Sequence, residues 1–141
     1  NLKLRPKILD LKPGTRIVSN SFGMAEWAAD QIASINDRAN CESFCTAYLW
    51  IVPAKVEGIW KLSKGELVLR QQFQMISGML NAGTNTAQIR DGKLNGDQII
   101  FTVGDDQYTG RVSGNTMQGT FKTGGKTTKW SATRTANIAL N

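Results

Sequence analysis

The sequence of 141 residues predicts a mainly β protein, in which a small antiparallel β-barrel of about eight strands follows a short α/β remnant. Three observations carry this prediction. Short β-prone runs recur from about residue 47 onward, separated by Gly, Asn, Asp and Ser. An apolar-x-Gly-x-apolar motif repeats within these runs. The pattern of apolar and turn residues in the first 22 positions predicts a helix, a turn and a strand.

The segment 1–22 indicates the end of an α/β unit. A basic amphipathic stretch over residues 2–12 predicts a helix, the turn 12–15 (KPGT) follows, and residues 16–19 form a short apolar strand. Such a strand needs cover on both faces, and we expect no partner strands for it in this chain. Residues 1–46 are therefore expected to be a domain remnant. Within it, residues 27–33 form a short helix or a covering loop.

The predicted barrel occupies residues 47–135, with a tail at 136–141. Gly, Asn and Asp accept the positive φ of tight hairpin turns, so their clusters mark the ends of strands. Many short strands with close turn signals are typical of a barrel or a sandwich. We predict strands near residues 48–52, 56–62, 66–75, 76–80, 86–91, 97–103, 107–112, 116–122 and 127–134.

The repeated glycine motif favours the closed barrel. At a period of two, both apolar residues and the glycine point to one face, so the glycine leaves room for sharp coiling or for a large side chain opposite. The alternative is that glycine marks bulges in a sandwich. The four copies lie at residues 56–60, 76–80, 108–112 and 117–121, with a weaker fifth at 94–98.

Composition narrows the possible chemistry. The chain has no histidine, which excludes Ser-His and Cys-His nucleophiles and the usual zinc sites within it. Cys41 and Cys45 are too few for structural zinc; they form a local disulfide in an exported protein or remain thiols otherwise. No apolar run approaches the roughly 20 residues of a membrane span.

The net charge of +6 is concentrated at the two ends of the sequence. Residues 1–16 carry five basic residues and one acidic residue, and residues 107–141 carry five basic residues and no acid. Two basic ends could meet an anionic surface such as nucleic acid. No aromatic stacking motif is interleaved with the basic positions, so we expect solvated faces rather than a nucleic-acid partner.

The stretches 1–9 (NLKLRPKIL) and 11–19 (LKPGTRIVS) resemble the late part of class I S-adenosylmethionine-dependent methyltransferases. The stretch 48–60 (YLWIVPAKVEGIW) resembles the junction of a bacterial subgroup that carries an appended β-rich C-terminal domain. The resemblance implies that this chain is the C-terminal portion of such an enzyme, with a missing N-terminal catalytic domain as its partner.

The resemblance implies few active-site residues in this sequence. The family's Gly-rich loop after its first strand and acidic residue after its second are absent here, so no cofactor-binding residue is implied and this chain alone is expected to be inactive. Asn1 is the catalytic candidate, because it would lie just past a segment that lines the active site. Some members look exported, which favours an exported location and a Cys41–Cys45 bridge.

Two other functions stay open. Gly58-Ile59-Trp60 resembles the Gly-x-Trp of lipocalins and the glycine motif resembles avidin strands, so the barrel could hold a small ligand. The alternative is that its aromatic residues fill the core. The candidate lining residues are Trp50, Trp60, Phe73, Phe101, Tyr108, Phe121 and Trp130.

The other function is an interaction module, which positions substrate or forms a homodimer. Its strands carry Gln and Thr that we expect to face outward, Gln71 and Gln74 among them. Lys55 would be a catalytic amine only if buried. Glu26 and Asp30 are four residues apart and are expected on one exposed helix face.

Overall fold

The computed structural model describes residues 2–20, 23–34 and 46–136. Within these ranges, one short helix precedes eleven strands, and the mainly β prediction is confirmed. The elements are α1 (Arg5–Leu9), β1 (Arg16–Asn20), β2 (Gln31–Ser34), β3 (Thr46–Ile51), β4 (Gly58–Leu62), β5 (Gly65–Gln72), β6 (Met75–Ala82), β7 (Asn85–Asn95), β8 (Gln98–Val103), β9 (Asp106–Ser113), β10 (Thr116–Thr123) and β11 (Lys126–Ala136).

Strands β4 to β11 form a closed antiparallel barrel, as predicted. Each strand pairs with the next, and β11 returns to pair with β4. Two-residue turns join these strands, and four of them begin with a glycine whose φ lies between 60° and 62°. Glycine at the first turn position is the signature of a type II′ hairpin turn, whose twist matches that of the strands. These glycines are Gly83, Gly96, Gly104 and Gly114.

One copy of the repeated glycine, Gly110, makes room for a large side chain, which is one of the two roles predicted for the motif. Gly119 pairs with Gly110 on one side and with Trp130 on the other. A Cβ on Gly110 would lie 2.8 Å from the Trp130 ring, and one on Gly119 would overlap the Thr109 carbonyl oxygen. The fifth copy of the motif is different, because Gly96 lies in the β7–β8 turn.

Side chains fill the barrel interior. Trp60, Leu67, Leu69 and Leu94 have no exposed surface and belong to one cluster of buried residues from the barrel strands and the segment before β4. An eight-stranded barrel is just wide enough for its inward side chains to fill it. The inward residues therefore build a packed core.

The first three strands form a separate antiparallel sheet in the order β1-β3-β2. The expectation that β1 lacks a partner in this chain is wrong, since β3 pairs with it along its whole length. The predicted boundary near residue 47 also differs from the observed one, because β3 belongs to this small sheet and the barrel starts at Gly58. Local sequence shows that residues 46–51 favour a strand, but not which sheet that strand joins.

A second core packs one face of the small sheet. Trp27, Trp50 and Val52 are fully buried there, and the Trp50 indole donates a hydrogen bond to the Trp27 carbonyl oxygen at 2.9 Å. Residues 24–30 form the covering loop of the two predicted alternatives, and β2 follows where the helix would have continued.

Candidate functional site

A cleft of about 500 Å³ lies between the small sheet and one end of the barrel. Small ligands bind preferentially in clefts of about 300–1,000 Å³ at such junctions, which makes this cleft the candidate site. Its walls come from α1, from the covering loop, from the segment before β4, from the β5–β6 hairpin and from β11. The lining residues are Leu9, Glu26, Pro53, Lys55, Glu57, Gln71, Gln72, Phe73 and Arg134.

The extended segment 52–57 forms one wall. Val52, Ala54 and Val56 pack into the two cores, while the intervening Pro53 and Lys55 line the cleft. Side chains alternate between two sides of an extended chain, so every second residue is presented to the cleft. The Ala54 amide donates to the Gly96 carbonyl oxygen at 2.8 Å, which attaches this wall to the β7–β8 turn.

Gln71 holds this wall against the barrel. Its Oε1 accepts from the Val56 amide at 2.8 Å, and its Nε2 donates to the carbonyl oxygens of Ala54 at 2.8 Å and Phe73 at 2.7 Å. The Gln71 amide donates to the Glu57 carboxylate at 3.1 Å. These bonds use both ends of the Gln71 side chain, so its role in the cleft is to set the shape of the wall.

Phe73 forms the aromatic surface of the cleft in a strained conformation. Its φ is 55°, and it stands at the first position of the β5–β6 turn, where five other hairpins have glycine. Strain of this kind persists where the surroundings hold the residue in place. The Phe73 ring stacks on Trp27 with centroids 5.8 Å apart, and the Arg5 guanidinium lies 5.2 Å from its centroid.

Arg134 closes the barrel side of the cleft. Its guanidinium lies 4.6 Å from the Trp60 ring centroid and donates to the carbonyl oxygens of Glu57 at 3.0 Å and Lys55 at 2.6 Å. Burial lowers the pKa of the Arg134 guanidinium. It nevertheless stays charged at neutral pH, because arginine loses its proton only at very high pH. Arg134 therefore places a fixed positive charge in the cleft wall.

Two other charged residues of the cleft, Glu26 and Lys55, form ion pairs. The Arg5 guanidinium pairs with the Glu26 carboxylate at 2.9 Å. The pKa of Glu26 is lowered, first by a backbone hydrogen bond and then by Arg5. Lys55 pairs with Asp10 and is 67% exposed, so the burial that a catalytic amine would need is not met.

The predicted pair of Glu26 and Asp30 does not lie on a helix. Both residues belong to the covering loop, where the Asp30 carboxylate accepts a hydrogen bond from the Ile51 amide at 2.6 Å.

Within the described residues, no group of three or more His, Cys, Asp or Glu side chains is placed to hold a metal ion. The cleft suits a small molecule with an aromatic or apolar surface, and its charged lining residues are two cations and two carboxylates.

The predicted lining residues do not surround one cavity. Phe101, Tyr108 and Trp130 are buried in the barrel core together with Trp60, and Phe121 packs against them. Stacking contacts join Phe101 to Tyr108 at 4.9 Å and Tyr108 to Phe121 at 4.7 Å between ring centroids. These rings fill the core, which was the alternative interpretation of the sequence.

Two of the seven predicted lining residues lie outside the barrel core. Trp50 and Phe73 pack in the core of the small sheet instead. The reason is that β3 joins that sheet and the β5–β6 turn reaches it. Asn1, Cys41 and Cys45 lie outside the described residues, so their predicted roles stay predictions.

The sequence did not predict that Gln71, Gln74 and Arg134 lie in the junction between the small sheet and the barrel. Gln71 and Gln74 were expected to face solvent, but both point into the junction, where the Gln74 Nε2 donates to the Ala28 carbonyl oxygen at 2.8 Å. Arg134 was counted among solvated charges. Its partners lie at least 20 residues away in the chain, so no local signal could have identified it.

Comparison with known proteins does not identify the chain. No protein-family model matches it, and searches of curated proteins and of solved structures give no significant match. In the described part of the chain, α1 is too short and too polar to cross a bilayer.

Proposed function

We propose that this chain is the C-terminal portion of an S-adenosylmethionine-dependent methyltransferase. In this proposal, α1 and the small sheet complete the α/β catalytic domain, whose larger N-terminal part is the missing partner. The barrel is an accessory module that positions the methyl acceptor. The resemblance of residues 1–19 and 48–60 suggests the family, and the uncovered apolar face of β1 is the observation that carries the argument.

The uncovered face lies opposite the second core. Val18 is 71% exposed, and it pairs directly with Leu49 of β3, so both residues point to the same face. Ala47 and Ala33 pair on that face as well, and all four residues line a shallow groove. Ile17, next to Val18, packs instead against the second core. A strand with apolar residues on both faces is typical of an α/β sheet, which helices cover on both sides.

The position of β1 in the sheet supports the same interpretation. In the order β1-β3-β2, β1 is an edge strand, and α1 precedes it through a short turn. A strand, a helix and a parallel neighbouring strand form the right-handed unit of α/β sheets. A strand preceding α1 would therefore pair with the open side of β1, and helices of the catalytic domain would cover Val18.

The described residues do not fit a complete cofactor site. Such sites in doubly wound sheets use a Gly-rich loop that leaves a strand and opens a helix. Here α1 precedes β1, and no such loop occurs in the described ranges. We therefore assign cofactor binding to the missing N-terminal domain, and we expect this chain alone neither to bind S-adenosylmethionine nor to transfer a methyl group.

The lipocalin or avidin alternative has less support. A ligand-binding barrel needs an open interior, and the inward side chains of this barrel form a packed cluster. A small ligand would find its contacts in the cleft, where Phe73 and Arg134 face the space between the two units. We therefore propose that the methyl acceptor binds in the cleft.

Calorimetric titration with S-adenosylmethionine tests the proposal. This chain and a version extended N-terminally through its gene would be titrated side by side, and only the extended version is expected to bind. In the extended version, Val18→Lys should weaken binding, because a charge would be buried beneath a helix. Thr86→Lys, at an exposed position of β7, adds the same charge and should have no effect.

Binding by neither version would contradict the proposal, and so would equal binding by both. Sedimentation of this chain alone tests the homodimer. A dimer that Val18→Lys dissociates and Thr86→Lys does not would place a second copy, rather than a catalytic domain, on the uncovered face.

A further inference from the structure

A basic wall covers the outside of the barrel from β7 to β11. Strand register aligns outward side chains in three rows across these five strands. Arg90 and Lys122 lie in the first row, Lys93 and Lys129 in the second, and Arg111 in the third. We call these five residues, with the polar side chains between them, the basic wall.

The wall is rich in cations and hydrogen-bond donors. The other outward positions of the three rows carry Thr, Gln, Asn or Ser, with Ile100 as the one apolar side chain and no carboxylate. The nearest acids lie at its ends: Asp91 in a bulge of β7, Asp106 at the start of β9, and Asp97 and Asp105 in turns. Asp97 pairs with Arg111 at 3.2 Å, and the other four cations make no ion pair with a described residue.

The wall follows the convex outside of the barrel, and two shallow grooves cross its second and third rows. A groove of about 620 Å³ crosses β7 to β10, and a second of about 520 Å³ continues it to β11. Both include Gln118, Gly119 and Thr120, so the two grooves are continuous. Neighbouring strands lie about 4.8 Å apart, which separates Lys93 from Lys129 by roughly 19 Å along the surface. That length is enough to meet several phosphates, since duplex DNA carries a charge about every 1.7 Å of its axis.

We propose that the basic wall binds the phosphate backbone of a double-stranded nucleic acid, without sequence specificity. Arg and Lys, together with Ser, Thr, Asn and Gln, are the side chains that contact phosphate oxygens in protein–DNA complexes. This inference is independent of the proposed methyltransferase function, because it uses no residue of the small sheet or of the cleft.

Two other polyanions fit the wall less well. Single strands bind mainly by stacking bases on exposed aromatic rings, and Phe101, Tyr108 and Trp130 are buried beneath the wall. Apolar side chains that insert between lipids strengthen binding to a membrane surface, and Ile100, at 36% exposure, is the one such side chain that the wall presents. The duplex therefore fits both the charges and the neutral donors.

Fluorescence anisotropy of a labelled 20-base-pair DNA duplex, titrated with the full chain at several salt concentrations, tests the inference. We expect binding that weakens with salt, with a logarithmic slope of about −3 to −4 for roughly four phosphate contacts. The triple variant Lys93→Gln, Lys122→Gln and Lys129→Gln should bind at least tenfold more weakly, with a slope shallower by about 2 to 3.

Two control variants keep the test specific. Lys7→Gln, Lys12→Gln and Lys64→Gln remove the same charge from exposed positions elsewhere and should leave affinity within about twofold. Replacing Lys93, Lys122 and Lys129 with Arg keeps the charge and should keep binding. Circular dichroism checks that each variant folds. If the triple variant of Lys93, Lys122 and Lys129 does not fold, the double variant Lys93→Gln with Lys129→Gln replaces it.

Four results would overturn the inference. They are no binding at low salt, equal losses in the two glutamine triples, tighter binding of a single strand of the same length, and wall-dependent binding to phosphatidylserine vesicles but not to the duplex.

Discussion

The barrel and the small sheet differ in how they pair the edges of their strands and cover their apolar faces. In the barrel, eight strands close on themselves, so each has two neighbours and one face that is buried. The small sheet has three strands and two edges, and Val18 and Ile32 of its edge strands are 71% and 62% exposed. A closed barrel therefore buries the apolar face of every strand without another layer, whereas an open three-stranded sheet needs one.

Two hairpin turns of the barrel join it to the small sheet. The β5–β6 turn places Phe73 on Trp27, and the β7–β8 turn brings Gly96 against Gly14 and Ile51. The core of the small sheet thus includes a residue of the barrel. Variants in each region, and at the contact between them, should separate their contributions to stability.

The largest expected effect comes from truncating the barrel core. Trp60→Ala removes a fully buried ring, its hydrogen bond to the Val56 carbonyl oxygen and its contact with Arg134. The free energy of unfolding should fall by about 3–5 kcal/mol. Val18→Ala on the uncovered face should change it by less than about 0.5 kcal/mol. Urea denaturation measures both, and similar losses would show that the face around Val18 is already covered in this chain.

A smaller effect is expected at the contact between the two regions. Phe73→Ala should lower the free energy of unfolding by about 1.5–3 kcal/mol through lost stacking on Trp27. Phe73→Gly should cost about 1 kcal/mol less than Phe73→Ala, because glycine adopts positive φ without strain. Thermal unfolding followed by tryptophan fluorescence makes the comparison. A glycine variant less stable than the alanine variant would refute the strained turn.

Arg5→Gln should weaken the same contact more modestly. It removes the guanidinium from the Phe73 ring, which is expected to cost about 0.5–1 kcal/mol. It also breaks the exposed ion pair with Glu26, so part of the loss should disappear at high salt. Lys7→Gln, on the exposed side of α1, is the matched control. Equal unfolding midpoints of the two variants at low and high salt would contradict this role of Arg5.

The smallest effect is a pH dependence inside the barrel. Burial, and then Asp106, raise the pKa of Tyr108 above its ordinary value of 10.0. The folded state therefore holds this proton more tightly than the unfolded chain. The resulting stability is complete below about pH 10 and is lost as the pH rises through the folded-state pKa. Melting curves from pH 8 to 11 should fall more steeply for the native protein than for Tyr108→Phe, and parallel curves would contradict the shift.

The sequence predicted the barrel well because its signals are local. Each hairpin turn depends on one or two residues such as Gly104, and each inward face on a period of two within a single strand. The Phe73 turn carries no such signal, since phenylalanine is disfavoured at positive φ. The sequence therefore predicted a single strand at 66–75, although the structure has a turn at Phe73 between two strands there.

What the sequence missed depends on contacts between distant residues. The membership of β3 in the small sheet, and the attachment of Arg134 to the segment before β4, involve partners far away in the chain. The basic wall is another case, because Arg90 and Lys93 come from a middle segment whose net charge is −3. Only the strand register brings them beside Lys122 and Lys129.

Native-state hydrogen exchange of this chain tests most directly whether the small sheet opens at a lower free energy than the barrel. Amides of β8 and β9 should exchange only through global unfolding. Amides of β1 should exchange through local opening of lower free energy, at rates faster by about tenfold or more. We expect this separation because β1 is an edge strand with an exposed apolar face. Equal opening free energies for β1 and for the barrel strands would show that the small sheet is complete as it stands, and would contradict it.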